Sequence, residues 1–331
     1  MSLPTIPEYS SCINNPMLIR PVVLNGGHPL TKGTRIMKYS GGFCVVFPFQ
    51  TETRKYAVRC WHAELPDAKT RCKHISQALR KTKLPYFAGF EYYEDGIVTP
   101  QGIQPLVVMD WIEAMPLKKY LAEHIYESET LNQLASNFME MVKELHGNHF
   151  SHGDLQHGNI MVKPDKSLML VDYDSMYVPE LEGMKDEVKG LVGYQHFSRW
   201  TNEYLTEKAD YFSELVIYTS LRALAKKPKL WYDLKMEDTE TLLFSGDDLR
   251  MGNSAPIFKV LKKDSDLLPL ADNLCKFIST PGLDNLVPLE EATLSIRDKI
   301  AEKWKIGNGY KPVNKKGKIV DPSEISKKWI Q

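Results

Sequence analysis

The sequence predicts an α+β protein with two lobes, a small antiparallel sheet followed by a mainly helical part. Three observations support this class. Residues 34–61 alternate apolar and polar side chains between short turns, as antiparallel meanders do. The 331-residue chain is longer than one typical core, so we expect two units. After Pro116 the apolar spacing changes to that of helices, most clearly at 131–146.

The first lobe is assigned to residues 34–112, and residues 1–33 form an N-terminal arm. The arm is rich in Pro, Asn and Gly without a sustained period, so we expect it to be extended and packed on the first lobe. A helix is predicted at 67–81, after the third strand. The predicted strands are 35–39, 43–49, 56–61, 87–93 and 106–111, with turns at 40–42, 50–55 and Asp95-Gly96.

The second lobe is assigned to residues 113–304 and is predicted to be mainly helical. A short hairpin, with strands at 160–162 and 168–171, interrupts the helices. The basic segment 305–331 reads as a solvated C-terminal tail. The predicted helices are 117–124, 131–146, 210–225 and 289–304.

Charge and hydropathy argue against several classes of protein. The 42 Lys and Arg balance the 42 Asp and Glu, so no net charge favours nucleic acid or a membrane surface as a partner. No apolar run approaches the ~20 residues of a membrane span, and the N-terminus lacks a secretory pattern. The five cysteines are odd in number and form no CxxC pair, which is typical of reduced thiols. We therefore expect a cytoplasmic protein.

The stretch 152–174 contains the polar groups that indicate a chemistry. It reads His152-Gly-Asp154-Leu-Gln-His-Gly-Asn159, then a short apolar run, then Asp172-Tyr-Asp. Asp154 can orient or deprotonate a hydroxyl, while the Asn159 amide and the Asp172 carboxylate can hold magnesium ions that bridge nucleotide phosphates. The predicted hairpin places Asn159 and Asp172 at neighbouring ends, beside Asp154.

The order of elements and motifs resembles the protein kinase superfamily over residues 34–304, as an atypical member similar to the eukaryotic-like Ser/Thr kinases of bacteria. The resemblance implies that Asp154 is the catalytic base and that Asn159 and Asp172 bind Mg²⁺ beside ATP. It also implies that Asp210, at the start of a later helix, caps the backbone of the catalytic loop. The sequence of the loop at 152–159 is also similar to that of aminoglycoside and choline kinases.

The resemblance also assigns the nucleotide side of the site. Gly41 and Gly42 would form the lid over the phosphates, although such a pair also suits a plain hairpin turn. Arg59 takes the place of the usual strand lysine and would contact phosphate. The Asp110 carbonyl and the Ile112 amide would face adenine.

Several residues depart from the family pattern. The helix at 67–81 has no acid after its first residue, which leaves Glu64 or Asp67 as the candidate partner of Arg59. Gly153 replaces the arginine that often reads activation-loop phosphate, so phosphorylation is not expected to be the switch. Asp174 replaces the glycine of the metal-binding triplet.

The leading hypothesis is an ATP- and Mg²⁺-dependent phosphotransferase that acts on Ser/Thr hydroxyls of a protein substrate. One alternative is a nucleotide-binding pseudokinase or scaffold, which Arg59 suggests. The other is a small-molecule kinase, which the sequence of the loop at 152–159 suggests. The segment 174–200 fits peptide docking better than a small acceptor. Structural roles are favoured over a zinc site for the histidines, which are His146, His149, His152 and His157. Cys44 and Cys60 are expected to be buried fillers.

Overall fold

The computed structural model describes residues 2–294. Within them the chain has the predicted α+β architecture, with an antiparallel sheet in the N-terminal part and helices in most of the rest. The predicted helix at 289–304 is present from Leu289 to Thr293 and ends there, because Leu294 has an extended backbone; residues 295–304 and the tail at 305–331 lie outside the described residues. Over residues 2–294, no helix combines the length and apolar character that crossing a bilayer would require.

Short and long strands build the N-terminal lobe. They are β1 (His28–Pro29), β2 (Thr31–Lys32), β3 (Arg35–Ile36), β4 (Tyr39–Ser40), β5 (Cys44–Gln50), β6 (Lys55–Trp61), β7 (Phe90–Thr99) and β8 (Gly102–Asp110). The main sheet is antiparallel with the order β1-β5-β6-β8-β7, and β4 also pairs with β5. The single strand predicted at 35–39 is wrong, because β3 instead forms a separate hairpin with β2.

A helix stands where the sequence predicted an extended arm. α1 (Ile6–Ile13) begins at a capping box, in which Thr5 and Glu8 each bond the other's backbone. Buried Tyr9 packs on the sheet and donates a 3.0 Å hydrogen bond from its hydroxyl to the Trp61 carbonyl. The extended conformation is therefore wrong for this segment, whereas its packing on the first lobe is confirmed.

The β7–β8 hairpin turns later than predicted. β7 continues through Asp95 and Gly96 to Thr99, and the chain reverses at 100–101. The register is irregular in this stretch, and a β-carbon at Gly96 would lie 2.8 Å from the backbone nitrogen of Leu106. Gly96 thus permits a close approach of two strands at a bulge, and the turn predicted at Asp95-Gly96 is wrong.

The first long helix, α2 (Ala68–Thr82), covers the sheet on the side of the second lobe. Its buried face includes Cys72, Ile75 and Leu79, and the Ser76 hydroxyl donates to the Phe90 carbonyl at 2.8 Å. This helix matches the one predicted at 67–81. It belongs to the same hydrophobic cluster as the second lobe, so the inner side of the N-terminal lobe and the helical lobe share one core.

Helices and one small sheet make up the second lobe. The strands are β9 (Met115–Pro116), β10 (Ile160–Val162) and β11 (Leu168–Leu170), and β10 pairs with both others. The helices are α3 (Leu117–Glu123), α4 (Ser128–Gly147), α5 (Tyr211–Lys226), α6 (Leu230–Asp233), α7 (Gly246–Met251), α8 (Pro256–Leu261), α9 (Leu268–Ile278) and α10 (Leu289–Thr293). α4 and α5 pack together at the centre of this lobe. The hairpin and the helices predicted at 117–124, 131–146 and 210–225 are thus present, whereas the one predicted at 289–304 begins as predicted and ends at Thr293.

Candidate active site

A cleft of about 690 Å³ lies between the two lobes. The sheet of the N-terminal lobe and its turns line one side of the cleft, and the loops around the β10–β11 hairpin line the other side. Seven of the eight predicted site residues line it directly: Gly41, Gly42, Arg59, Asp110, Ile112, Asp154 and Asp172. The eighth, Asn159, lies next to Asp154. The structure therefore brings together residues that are up to 131 positions apart, between Gly41 and Asp172.

Side-chain alternation along β6 directs Arg59 into the cleft. Val58 and Cys60 are buried in the cluster on the other face of the sheet, so Ala57 and Arg59 face the opposite way. Arg59 is only 5% exposed. A buried guanidinium requires compensating charge, so its partners decide what it can do.

The partners of Arg59 are acids from the far lobe. One terminal nitrogen (Nη2) donates to the Asp174 carboxylate and lies 3.6 Å from an oxygen of Asp172. The prediction that Glu64 or Asp67 would substitute for the missing helix acid is therefore wrong. Glu64 and Asp67 are close to Arg59 in sequence, whereas the acid that contacts it is 115 residues away.

The Gly41-Gly42 turn is both a hairpin turn and part of the cleft. The Gly41 amide donates to the Cys44 carbonyl at 2.9 Å, which closes the turn between β4 and β5. A β-carbon at either glycine would meet no atom within 4 Å. The space around this turn is therefore open toward the cleft, and the two interpretations left open by the sequence are compatible.

The edge of the cleft is the segment that links the lobes. The Trp111 amide donates to the Lys55 carbonyl at 3.1 Å and the Asp110 amide donates to the Gly89 carbonyl at 3.2 Å. Among residues 2–294, the Ile112 amide has no hydrogen-bond partner. Ile112 therefore presents a free donor beside the cleft.

The loop that carries Asp154 is fixed from below by a buried carboxylate. Asp210, just before α5, accepts hydrogen bonds from the backbone amides of His152 and Gly153. The His152 ring in turn bonds the Val171 carbonyl at 2.9 Å through Nε2. The cap predicted for Asp210 is seen in this geometry, and the contact of His152 agrees with the structural role favoured for it. A loop tied in this way holds its carboxylate in one position.

Asp154 itself is held by two donors. The Leu191 amide donates to Oδ1 at 2.9 Å, and Nδ2 of Asn159 donates to Oδ2 at 3.0 Å and to the Asp154 carbonyl at 2.9 Å. Burial raises the pKa of Asp154 above its ordinary value, and the charge of Asp172 adds to the rise. A carboxylate with a raised pKa accepts a proton more readily.

Asn159 and Asp172 flank the β10–β11 hairpin as the sequence predicted. The Val171 amide donates to the Asn159 carbonyl at 3.0 Å, which pairs the two ends of the hairpin. Asp172 adopts a left-handed backbone conformation, with φ of 67°. Its side chain is 55% exposed and faces the cleft. The side chains of Asn159 and Asp172 therefore supply amide and carboxylate groups at one edge of the cleft.

Glycine is required at position 153, where the family pattern has arginine. Gly153 has φ of 77°, and a β-carbon there would lie 2.1 Å from the carbonyl oxygen of Ser175. Gly190 has the same φ, and a β-carbon there would lie 2.7 Å from the Asp154 carboxylate. These two glycines let the segment after residues 172–174 pass directly over the loop that carries Asp154.

Sequence reasoning missed the residues that hold this segment. Asp186 and Arg199 form a buried ion pair, with Nε donating to one carboxylate oxygen at 2.5 Å and Nη2 to the other at 3.1 Å. Arg71 on α2 donates to the carbonyls of Asp174 and Lys185. No local pattern marks these side chains, because their partners lie in other elements. The Leu191 amide is a backbone group and leaves no sequence signal at all.

The histidines make separate contacts and do not converge on one point. Their partners are Glu214 and Glu290 for His146, Glu207 for His149, the Val171 carbonyl for His152 and Tyr194 for His157. Within residues 2–294, no group of three or more His, Cys, Asp or Glu side chains is arranged to hold a metal ion. The structural interpretation of these histidines agrees with their contacts.

The cysteines are free thiols, and most are buried. Burial raises the pKa of Cys44 to about 12 and also raises the pKa of Cys60. Thiols with raised pKa values are poor nucleophiles near neutral pH, in agreement with their interpretation as fillers. The cytoplasmic location inferred from cysteine usage stays a prediction.

The two-lobed fold and the interlobe cleft define a kinase-like protein. The sequence model of the ABC1 atypical kinase-like domain matches residues 98–186, which extend from β7 through the Asp154 loop to the following segment. None of the curated proteins matches the chain. The resemblance to the protein kinase superfamily is thus confirmed, and the match indicates an enzyme of the phosphotransferase type. Such a fold implies the use of a nucleotide and a metal in general terms.

Proposed function

We propose that this chain is an ATP- and Mg²⁺-dependent phosphotransferase whose catalytic base is Asp154. One observation carries the proposal: Asp154, Asn159 and Asp172 meet at one edge of the 690 Å³ interlobe cleft, and Arg59 faces them from the sheet. Phosphoryl transfer needs a positioned hydroxyl, a metal site and cationic stabilisation of the phosphates. The cleft has a residue suited to each task.

Asp154 acts on the acceptor hydroxyl. The Leu191 and Asn159 donors fix both of its oxygens, so the carboxylate keeps one orientation without a rotational cost at each turnover. An oxygen that accepts one hydrogen bond retains a lone pair for the hydroxyl proton. Its raised pKa brings it closer to the value at which a general base is efficient.

Asn159 and Asp172 fit a magnesium ion by the chemistry of their donor atoms. Nδ2 of Asn159 is already used by Asp154, which leaves its amide oxygen as the available ligand. Asp172 offers a carboxylate that is half exposed in the cleft. Oxygen ligands of this kind suit Mg²⁺, which neutralises phosphate charge when bound.

The remaining lining residues fit a nucleotide. The free Ile112 amide and the Asp110 carbonyl would face the base, and the open Gly41-Gly42 turn would cover the phosphates. Arg59 would contact the phosphates through guanidinium N–H groups that its acidic partners do not use. The side chain of Arg59 is bulkier than lysine, but alternation along β6 keeps it on the cleft face.

We propose a Ser/Thr hydroxyl of a protein as the acceptor. Exposed apolar side chains cluster in sequence along the segment that passes over Asp154 and just beyond it; they are Val192, Phe197, Trp200 and Tyr204. Exposed aromatic groups beside a catalytic loop suit contact with a polypeptide. A small-molecule acceptor would gain little from them.

The test is transfer of labelled γ-phosphate from ATP to protein acceptors in the presence of Mg²⁺. The wild-type chain should transfer label, and Asp154→Asn should lose at least about 100-fold in rate, because the base is removed without a change in shape. Asp165→Asn, the same change in an exposed hairpin turn, is the matched control and should retain full activity.

The alternatives predict different outcomes of the same assay. Nucleotide binding without transfer to any protein, peptide or small hydroxyl acceptor would indicate a pseudokinase. Transfer to aminoalcohols or aminoglycosides but not to protein would indicate a small-molecule kinase. Equal transfer by wild type and Asp154→Asn would remove Asp154 from the mechanism.

A further inference from the structure

Asp174 occupies a position between the two lobes that none of the site assignments explains. Its carboxylate accepts a hydrogen bond from Arg59 on β6, and its side chain is only 12% exposed. Asp172, two residues earlier, is 3.6 Å from the same guanidinium but is 55% exposed. Asp174 is therefore the buried acid that compensates Arg59, and Asp172 remains accessible from the cleft.

The helix that should carry this acid instead carries a cation. Arg71, in the first turn of α2, donates from Nη2 to the Asp174 carbonyl at 2.5 Å and from Nη1 to the Lys185 carbonyl at 3.3 Å. Arg71 is 2% exposed and its head group bonds only backbone oxygens. Compared with the kinase pattern, the helix has exchanged an acid for a base, and the acid appears on the metal-binding triplet.

We propose that Asp174 is the positioning residue of the nucleotide site, which holds the Arg59 guanidinium toward the phosphates in place of an acid on α2. This inference rests on the proposed function. Arg59 has five N–H donors in a rigid plane, and anchoring Nη2 on Asp174 fixes the direction of the others. Arg71 completes the arrangement because it fixes the backbone of Asp174 itself.

Residues 172–174 couple the proposed metal site to the proposed phosphate-binding site. Asp172 is the proposed metal ligand and Asp174 holds the phosphate-binding cation, so both depend on the conformation of residues 172–174. In the family pattern, the cation is instead held by a helix that is separate from the metal ligand. Here α2 contributes through Arg71, and a shift of residues 172–174 would disturb metal and phosphate binding together.

The test is a double-mutant cycle read by calorimetric binding of ADP and of adenosine. The variants are Asp174→Asn, Arg59→Met and the double variant, with exposed Asp165→Asn as the matched control. Asp174→Asn should weaken ADP binding about tenfold or more, because Arg59 loses the anchor that directs its guanidinium toward the phosphates. Adenosine, which has no phosphate, should lose less than about twofold, as should ADP binding to the control.

Dependence on Arg59 is the second readout. In the Arg59→Met background, Asp174→Asn should cause no further loss of ADP affinity, since Asp174 acts through Arg59. Equal weakening of ADP and adenosine, or the same loss in both backgrounds, would contradict the positioning role. If Asp174→Asn is too unstable to titrate, a cooperative melting transition restored in the double variant supports the pairing, and continued unfolding contradicts it.

The proposed function can fail separately from this inference. A wild-type chain that binds no ADP contradicts the proposed function, and the inference falls with it. A wild-type chain that binds ADP, combined with unchanged affinity in Asp174→Asn, contradicts the inference alone.

Discussion

At the scale of single residues, Gly153 beside Asp154 allows two backbone segments to approach each other closely. Gly153 has a left-handed backbone conformation, and the Ser175 carbonyl lies where its β-carbon would be. Both the conformation and the close contact exclude a side chain. The arginine found here in the family pattern could not be accommodated without displacing residues 174–176. The loss of a phosphate-reading arginine is therefore tied to the path of the segment over the loop.

Replacing Gly153 by alanine should lower the free energy of unfolding by about 3 kcal/mol or more, because the new β-carbon would overlap a backbone oxygen. Gly183 is the matched control: its φ of 78° is similar, but a β-carbon there would meet no atom within 4 Å. Gly183→Ala should cost only about 1 kcal/mol, for the left-handed conformation alone. Urea unfolding measures both, and equal losses would contradict the steric explanation.

The sequence predicted the polar residues of the site but not their pairings. Asp154, Asn159 and Asp172 lie in one short stretch, and their spacing through a hairpin is a local property. The sequence predicts Glu64 or Asp67 as the partner of Arg59, whereas Asp174 is the acid that contacts it. Contacts between elements depend on how the lobes pack, which no spacing within one segment encodes.

At the scale of elements, a buried ion pair holds the segment that follows residues 172–174. Asp186 and Arg199 are both buried, and Gln195 supports Arg199 with a further 3.1 Å hydrogen bond. Arg199→Met would leave buried Asp186 with Lys189, at 3.4 Å, as its remaining charged partner, so it should destabilise the chain by about 2 kcal/mol or more. Limited proteolysis should cut residues 174–200 faster in this variant.

The control for this prediction is Arg250→Met. Arg250 and Asp247 also form an ion pair, at 3.0 Å, but both side chains are 78% exposed. Such a pair contributes little to stability. Unchanged proteolysis of the 174–200 segment in Arg199→Met would mean that the buried pair does not order it.

Long elements were predicted well and short ones poorly. The apolar period of α4 and α5 extends over several turns, so their positions followed from the sequence. α1 has only eight residues and was missed, although Thr5 and Glu8 form the capping box that could have indicated it. The sequence predicts a turn at Gly96 because a glycine in a bulge and a glycine in a turn have the same sequence signal.

At the scale of the whole molecule, a buried charge cluster joins three helices of the second lobe. His146 on α4 lies 2.9 Å from Glu214 on α5 and 3.0 Å from Glu290 on α10. Burial alone would lower the pKa of His146, but the hydrogen bonds that its ring donates to the two carboxylates raise it to about 10. Burial raises the pKa of Glu214 to about 7. His146 and Glu214 therefore bind protons more tightly in the folded protein than in the unfolded chain.

This cluster predicts a pH dependence of stability. Since the folded pKa of His146 lies above its ordinary 6.5, its contribution is fully present below pH 6.5 and is lost as pH rises toward about 10. The difference in unfolding free energy between wild type and His146→Gln should therefore shrink from pH 6 to pH 9, over about three units. His149→Asn, at an exposed position, should show a small difference throughout. A difference in unfolding free energy that grows with pH would contradict the raised pKa of His146.

The cleft lies between the lobes, so a bound nucleotide would contact both and stabilise the whole fold. Mg²⁺-ADP at about 100 times its dissociation constant should raise the free energy of unfolding by about 2.7 kcal/mol. Ala57 is 9% exposed and faces the cleft from β6, so Ala57→Phe would place a ring where the nucleotide binds. This variant should lose the nucleotide-induced rise in melting temperature and still unfold cooperatively without nucleotide. If Ala57→Phe kept the full shift, the nucleotide would have to bind elsewhere, because a phenyl ring and a nucleotide cannot share this space.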